Sequence, residues 1–338
     1  MSLVRAEVRR LTKRRFTRWM LVVMLLVLGT VVVSISLTSR QHTPSEVAAA
    51  EAAAQAEYRE GLAQHQRFVA DCEATKKTGG PDASKLPADC GKGSPPLPEQ
   101  FEAQWHLPFQ FVFKDLFDVF IAVLFGVLAL FAYLIGASYV GAEWNSGGMT
   151  NLLLWRPRRL PVLLTKLGVL LGGVTAVGLT LGALWTLAFW LIGRYDGLPG
   201  KMTPGVWQSF ALTGLRGLGL ALVVAAVGFG LASIGRHTAM ALGIAVGLVV
   251  VGEIGIGGGL TIAEVTFPER FVLSTYVVAW FQKSLTLVDY NACAVTLTGE
   301  CEPSTFVVAW PTSALVLGLG TALVLAATIW TMRSRDIT

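Results

Sequence analysis

Charge is scarce in this sequence. Of 338 residues only 14% are Asp, Glu, Lys or Arg, while 53% are hydrophobic. A soluble domain carries about 25% charged residues, and a water-soluble globule of this composition could not cover its apolar surface. Lipid as the solvent removes the conflict. Histidine and cysteine are thin as well. His42, His65, His106 and His237 are scattered, and the four cysteines contain no C-x-x-C, so no metal site is expected. No G-x-x-x-x-G-K-[ST] occurs: Gly91-Lys92 and Gly200-Lys201 are followed by Gly and Met, so the chain has no phosphate cradle of its own. H-E-x-x-H, GxGD and an intramembrane Ser/His pair are absent too. Glu253 is the only clear acid at depth, which argues against an intramembrane protease that needs two.

What is present is a series of long apolar runs, with a mean hydropathy of +0.59. Six reach the roughly 20 residues that a crossing helix requires: 19–37, 115–137, 162–193, 208–233, 239–262 and 312–332. Most of the 36 glycines sit inside these runs, as in closely packed membrane helices. The expected fold is an all-α polytopic membrane protein with six transmembrane helices. Lys and Arg set the orientation. Arg5, Arg9, Arg10, Lys13, Arg14, Arg15, Arg18, Arg156, Arg158, Arg159, Lys166, Arg236, Arg333 and Arg335 fall on one side, against Arg194, Lys201, Arg270 and Lys283 in the two shorter loops opposite. Both termini are therefore expected in the cytoplasm, the tail being 333–338. The stretch 19–37 is too long for a typical signal peptide. A net charge of +5 and pI near 9.1 invite nucleic acid as a partner, but the densest basic run abuts the first span, so membrane lipid is expected instead. Residues 1–18 read as a basic amphipathic helix in the inner interface, with Val4, Val8 and Leu11 on one face.

Two outer segments follow from this layout. The larger, 38–114, opens with the Ala/Glu/Gln-rich helix former 46–68 and continues through a Gly/Pro/Lys-rich loop. The second, 263–311, holds the apolar but interrupted stretch Phe267–Leu285, which reads as a re-entrant or interface-lying helix; a true crossing there would flip the C-terminus. All four cysteines lie in these segments, where an oxidising compartment favours disulfides, and locality selects Cys72–Cys90 and Cys293–Cys301.

The inner segment 138–161 is too elaborate for a plain turn. Glu143 and Gly147/Gly148 precede a short amphipathic stretch, Pro157 breaks it, and Arg158, Arg159 and Lys166 return the chain to the headgroups. An exposed acid on a short inner helix can dock into a partner's groove; the alternative is that Glu143 caps or solvates the helix. The basic helix entering the first span resembles that of membrane permease subunits of type-2 ABC exporters. So do the E-x-x-x-G-G…R-P-R-R…K pattern (Glu143, Gly147, Gly148, Arg156, Pro157, Arg158, Arg159, Lys166) and the ending R-S-R-D-I (Arg333–Ile337). The resemblance implies that the Glu143 segment is a coupling helix touching a separate ATPase. It further implies that ATP and Mg belong to that subunit, that this chain binds no cofactor, and that a second permease, identical or homologous, pairs with it.

Charges within the spans are few and informative. Counted along their helices, Arg216 and Glu253 differ in depth by roughly 6 Å, so an ion pair between them is expected, either structural or on the export path. Small-x-x-x-small pairs at Gly168/Gly172, Gly178/Gly182 and Gly243/Gly247 read as packing seams, and Phe113, Phe117 and Phe120 as a lipid-facing stripe. The expected function is export of a hydrophobic or amphipathic compound (drug, lipid or peptide-like) across the plasma membrane of a bacterium. The alternative is a non-transporting sensor, immunity or assembly subunit.

Overall fold

The computed structural model describes residues 3–78, 86–87, 89–92, 94–155, 158–295 and 301–334, apart from the side chains of Leu153, Trp155, 290–295 and 301–302. Six helices are long and apolar enough to cross a bilayer: α2 (Arg15–Thr38), α4 (Phe113–Asn145), α6 (Arg159–Tyr195), α7 (Pro204–Gly235), the composite Thr238–Ile262, and α11 (Trp310–Ser334). Before them lies the amphipathic helix α1 (Leu3–Lys13), ended by a break at Arg14. Between α2 and α4 lies α3 (Pro44–Thr78), and α5 (Gly148–Trp155) follows α4. At 37 residues α6 is about 55 Å long, well beyond the hydrocarbon core of about 30 Å.

The chain divides into two compact units. The first comprises Met1–Val32, Lys114–Phe189 and Gly200–Thr338. Its centre is the contact of α4 with α7. There a Cβ added at Gly136 would stand 2.7 Å from the Ala225 carbonyl oxygen, and one at Gly228 the same distance from that of Tyr133. Backbones this close leave no room for any side chain but hydrogen. Among the described residues of this chain nothing approaches within 4 Å of a Cβ at Gly168, Gly172, Gly243 or Gly247, so the seams expected there are not formed within the chain, whereas Gly178 does pack, against Leu218 and Leu128. Small residues at a four-residue spacing define a face without saying what it meets. The phenylalanines are corrected likewise. Phe117 is 1% exposed and packs on Phe189 and Phe210, and Phe120 stacks on Phe189 at 4.5 Å, so this is core and not a lipid-facing stripe.

The composite fifth span is α8 (Thr238–Gly247), a π-helical stretch Leu248–Gly257, and α9 (Gly258–Ile262). A wide π turn across the glycine-rich Gly252–Gly259 fits the weak α preference of glycine. Beyond it, α10 (Leu273–Gln282) has ten residues, about 15 Å, half the length of a crossing. It packs on an antiparallel hairpin of β1 (Ser284–Val295) and β2 (Cys301–Ala309), in register from Ser284 opposite Ala309 to Asp289 opposite Ser304. Ala279, Leu287 and Val308 form the small core beneath, with Phe267, Tyr276 and Leu285 around it. The hairpin was not foreseen; its alternation at Leu285, Leu287 and Phe306, Val308 was submerged in a stretch that is apolar throughout.

The second unit comprises Val33–Phe113 and Trp190–Pro199. Ser39 organises it: its hydroxyl donates to the Asp196 carbonyl and accepts from the Phe111 amide, both at 3.0 Å. Cys72 on α3 is bonded to Cys90, with Cα atoms 5.7 Å apart. The side chains of Cys293 and Cys301 lie outside the described residues. The Cys72–Cys90 bond closes an 18-residue separation, for which about 3 kcal/mol is expected. Cys72→Ser should therefore lower the melting point and render the loop after α3 protease-sensitive while α2 to α11 still insert; an unchanged proteolysis pattern contradicts this.

Candidate functional site

The ends of α1, α4, α7 and α11 and the starts of α2, α6 and α8 meet at one end of the first unit. Arg14, in the break between α1 and α2, donates through one guanidinium nitrogen to the carbonyls of Ser138 and Tyr139 on α4, both at 3.0 Å. The α4 C-terminus abuts the α7–α8 turn so tightly that a Cβ at Gly141 would stand 2.6 Å from the Thr238 amide. Arg159, at the start of α6, donates to the Met332 carbonyl near the end of α11 at 3.3 Å. Arg236, left-handed at φ 54°, places its guanidinium 4.9 Å over the Trp144 ring. The chain segments assigned to the inner side thus converge here.

At the centre is a buried network of charge. Lys166 on α6 is fully buried, with its ammonium 2.7 Å from Glu7 and 2.6 Å from Glu143. The first contact is an aligned hydrogen bond; the second is a charge contact that lies off the hydrogen-bond directions. The Tyr139 hydroxyl donates to Glu7 at 2.6 Å, Arg10 pairs with Glu7 at 2.9 Å, and Arg14 lies 3.7 Å from Glu143. The Tyr139 ring is also flanked by Lys166 at 5.0 Å and Arg14 at 5.6 Å. Two carboxylates thus meet three cations. Burial alone would raise the Glu7 carboxyl; the hydrogen bonds from Lys166 and Tyr139, with the Lys166 and Arg10 charges, outweigh it and hold the group below its ordinary 4.5.

This changes the role expected of Glu143. It is 8% exposed and sits in the last turns of α4, not on the short helix, so it is no exposed acid offered to a partner. Gly147, left-handed at φ 70°, turns the chain, and Gly148 opens α5. Among the described side chains of α5, Asn151 and Leu154 are exposed, Leu154 at 78%. Arg158 is exposed, and Arg159 is tied to α11. Arg156 and Pro157 lie outside the described residues. Sequence reasoning missed Glu7 and Tyr139. The signal for Glu7 was available: it is the only acid in the first 45 residues, and it interrupts the apolar face at Val4, Val8 and Leu11.

The intramembrane charges are not brought together. Among the described residues Arg216 and Glu253 form no ion pair. Glu253 instead accepts from the Ser274 amide at 2.9 Å and the Ser274 hydroxyl at 2.6 Å, capping the positive end of α10. The Arg216 guanidinium lies 6.0 Å over the Trp310 ring, and its carbonyl accepts from the Trp280 indole at 2.8 Å. Residue counting gives an approximate depth but not the direction in which a side chain points.

Six apolar spans make the chain a multi-pass membrane protein. Neither a curated protein nor a solved structure matches it. The family model described as "ABC-2 family transporter protein" matches residues 1–337, essentially the whole chain. The buried ionic layer therefore belongs to a membrane transport component rather than to a catalytic chain, and the protein is a member of the ABC-2 transporter family.

Proposed function

We propose that the chain is the permease subunit of an ATP-driven exporter, moving a hydrophobic or amphipathic compound out of a bacterial cell. A separate ATPase supplies the energy and carries the ATP and Mg, and a second permease completes the path. The observation that carries this reading is α5. It is a short helix set off by the left-handed Gly147, it presents the 78% exposed Leu154, and its root at Glu143 is fastened to α1 and α6 through Lys166. Force applied to α5 by a partner would reach α1, α4 and α6 together, because one ammonium holds all three. Glu143, Gly147, Gly148, Arg156, Arg158 and Arg159 act in this reading by positioning that helix, with Leu154 as the contact.

Leu154→Glu places a charge on the exposed contact and leaves the buried ion network intact. In a complex reconstituted with its ATPase it should lower transport-coupled ATP turnover about tenfold, as a lost anchor of about 1.4 kcal/mol would, with insertion unchanged. Undiminished turnover removes the coupling role of α5.

A further inference from the structure

A second feature of the same unit is not used by the coupling network. Where the helix breaks at Arg14, α1 leaves the line of α2, and a cavity of about 160 Å³ remains between these two helices, α4 and α6. Its walls include Leu11, Met24, Phe131, Leu170 and Val174, and only Thr12 and Thr17 contribute polar atoms. An apolar cavity of about 150 Å³ stays dry and takes an apolar guest. The lining runs from Thr17 to Met24 on α2 and from Leu170 to Val177 on α6, about 10 Å along each helix. The shape is that of a slot parallel to the spans.

Basic side chains adjoin the slot where α1 breaks from α2, and among the described residues Lys13, next to the lining residue Thr12, and Arg18 have no acidic partner. Lys13, Arg15 and Arg18 are exposed, and Arg18 donates through Nε to the carbonyl of Thr12, a lining residue, so its guanidinium stands beside the opening. Glu7 and Glu143, the acids of the neighbouring network, are buried and already engaged by Lys166, Arg10 and Arg14. A neutral apolar guest would leave this charge unanswered, whereas an anionic headgroup at the interface answers it. We propose that the slot holds one acyl chain of an anionic phospholipid from the leaflet in which α1 lies, with its phosphate on Lys13 and Arg18. This goes beyond the transport assignment and does not depend on it.

The test is native mass spectrometry of the full chain in detergent, titrated with phosphatidylglycerol or with phosphatidylcholine of the same acyl chains. The wild type should retain one phosphatidylglycerol about tenfold more tightly than phosphatidylcholine. Leu21→Trp, on the slot wall, should weaken retention of both lipids about tenfold by displacing about two methylene groups. Lys13→Gln/Arg18→Gln should bring phosphatidylglycerol down to the phosphatidylcholine level without changing the latter. If Leu21→Trp melts far below the wild type, Val177→Phe fills the slot from α6 instead. Equal retention of the two lipids by the wild type overturns the headgroup assignment. Undiminished retention in a folded slot-filling variant overturns the acyl-chain assignment.

Discussion

Replacing Lys166 with methionine is expected to destabilise the protein by about 3–5 kcal/mol, because breaking a buried ion pair strands its partners. Lys166 is fully buried, Glu7 equally so, and Glu143 nearly so; solvent therefore does not screen the loss. Methionine keeps the volume and the apolar stem, so the effect isolates the charge. The melting temperature in detergent should fall sharply. Adding Glu7→Gln and Glu143→Gln should recover most of the loss, since the two stranded charges are then gone. The same network fixes an acid limit. Because the Glu7 carboxyl is held below 4.5, its contribution is fully present above that pH and is lost as pH falls through the depressed folded value. Acid titration of the wild type should accordingly show stability lost below about pH 4.5, with that step diminished in Glu7→Gln.

The second large effect lies in the span core. Phe189 is completely buried against Phe117 at 6.1 Å, Phe120 at 4.5 Å and Trp185 at 4.8 Å. Truncation to alanine leaves a void among rings that cannot collapse into it, and Phe→Ala at such sites costs about 3–5 kcal/mol. Phe189→Ala should lower the yield of folded protein and the melting temperature together, whereas Val119→Ala, at a position 60% exposed, should change neither. Equal effects at the two positions would return these phenylalanines to the lipid face.

The contrast between Phe189 and Val119 shows where the sequence was legible. Apolar length alone locates the six spans, because no other solvent tolerates runs such as 19–37, and all six helices lie where the hydropathy places them. The rotation of each helix about its axis was not legible. Hydropathy is nearly uniform around a membrane helix, so Phe117, Gly168 and Arg216 could be given a depth but not a neighbour. The short helix after α4 was legible as a separate segment, through Gly147 and Gly148, while Glu143 was misplaced on its exposed side. What buries it is Lys166, 23 positions further along the chain, together with Glu7, which only the break at Arg14 brings near. The hairpin at Ser284–Ala309 was hidden for a different reason: its period-two pattern is brief and adjoins an aromatic helix of similar composition.

As the proposed membrane half of an ATP-driven transporter, the chain should carry a separate ATPase with it. The most direct measurement is purification of the tagged full-length chain from its native membrane in mild detergent, followed by assay of the eluate for ATP hydrolysis. A separate, co-eluting subunit in fixed stoichiometry should hydrolyse ATP, and a Leu154→Glu chain should recover less of it. A chain that elutes without such a subunit, under conditions that preserve its fold, is not the membrane half of an ATP-driven transporter.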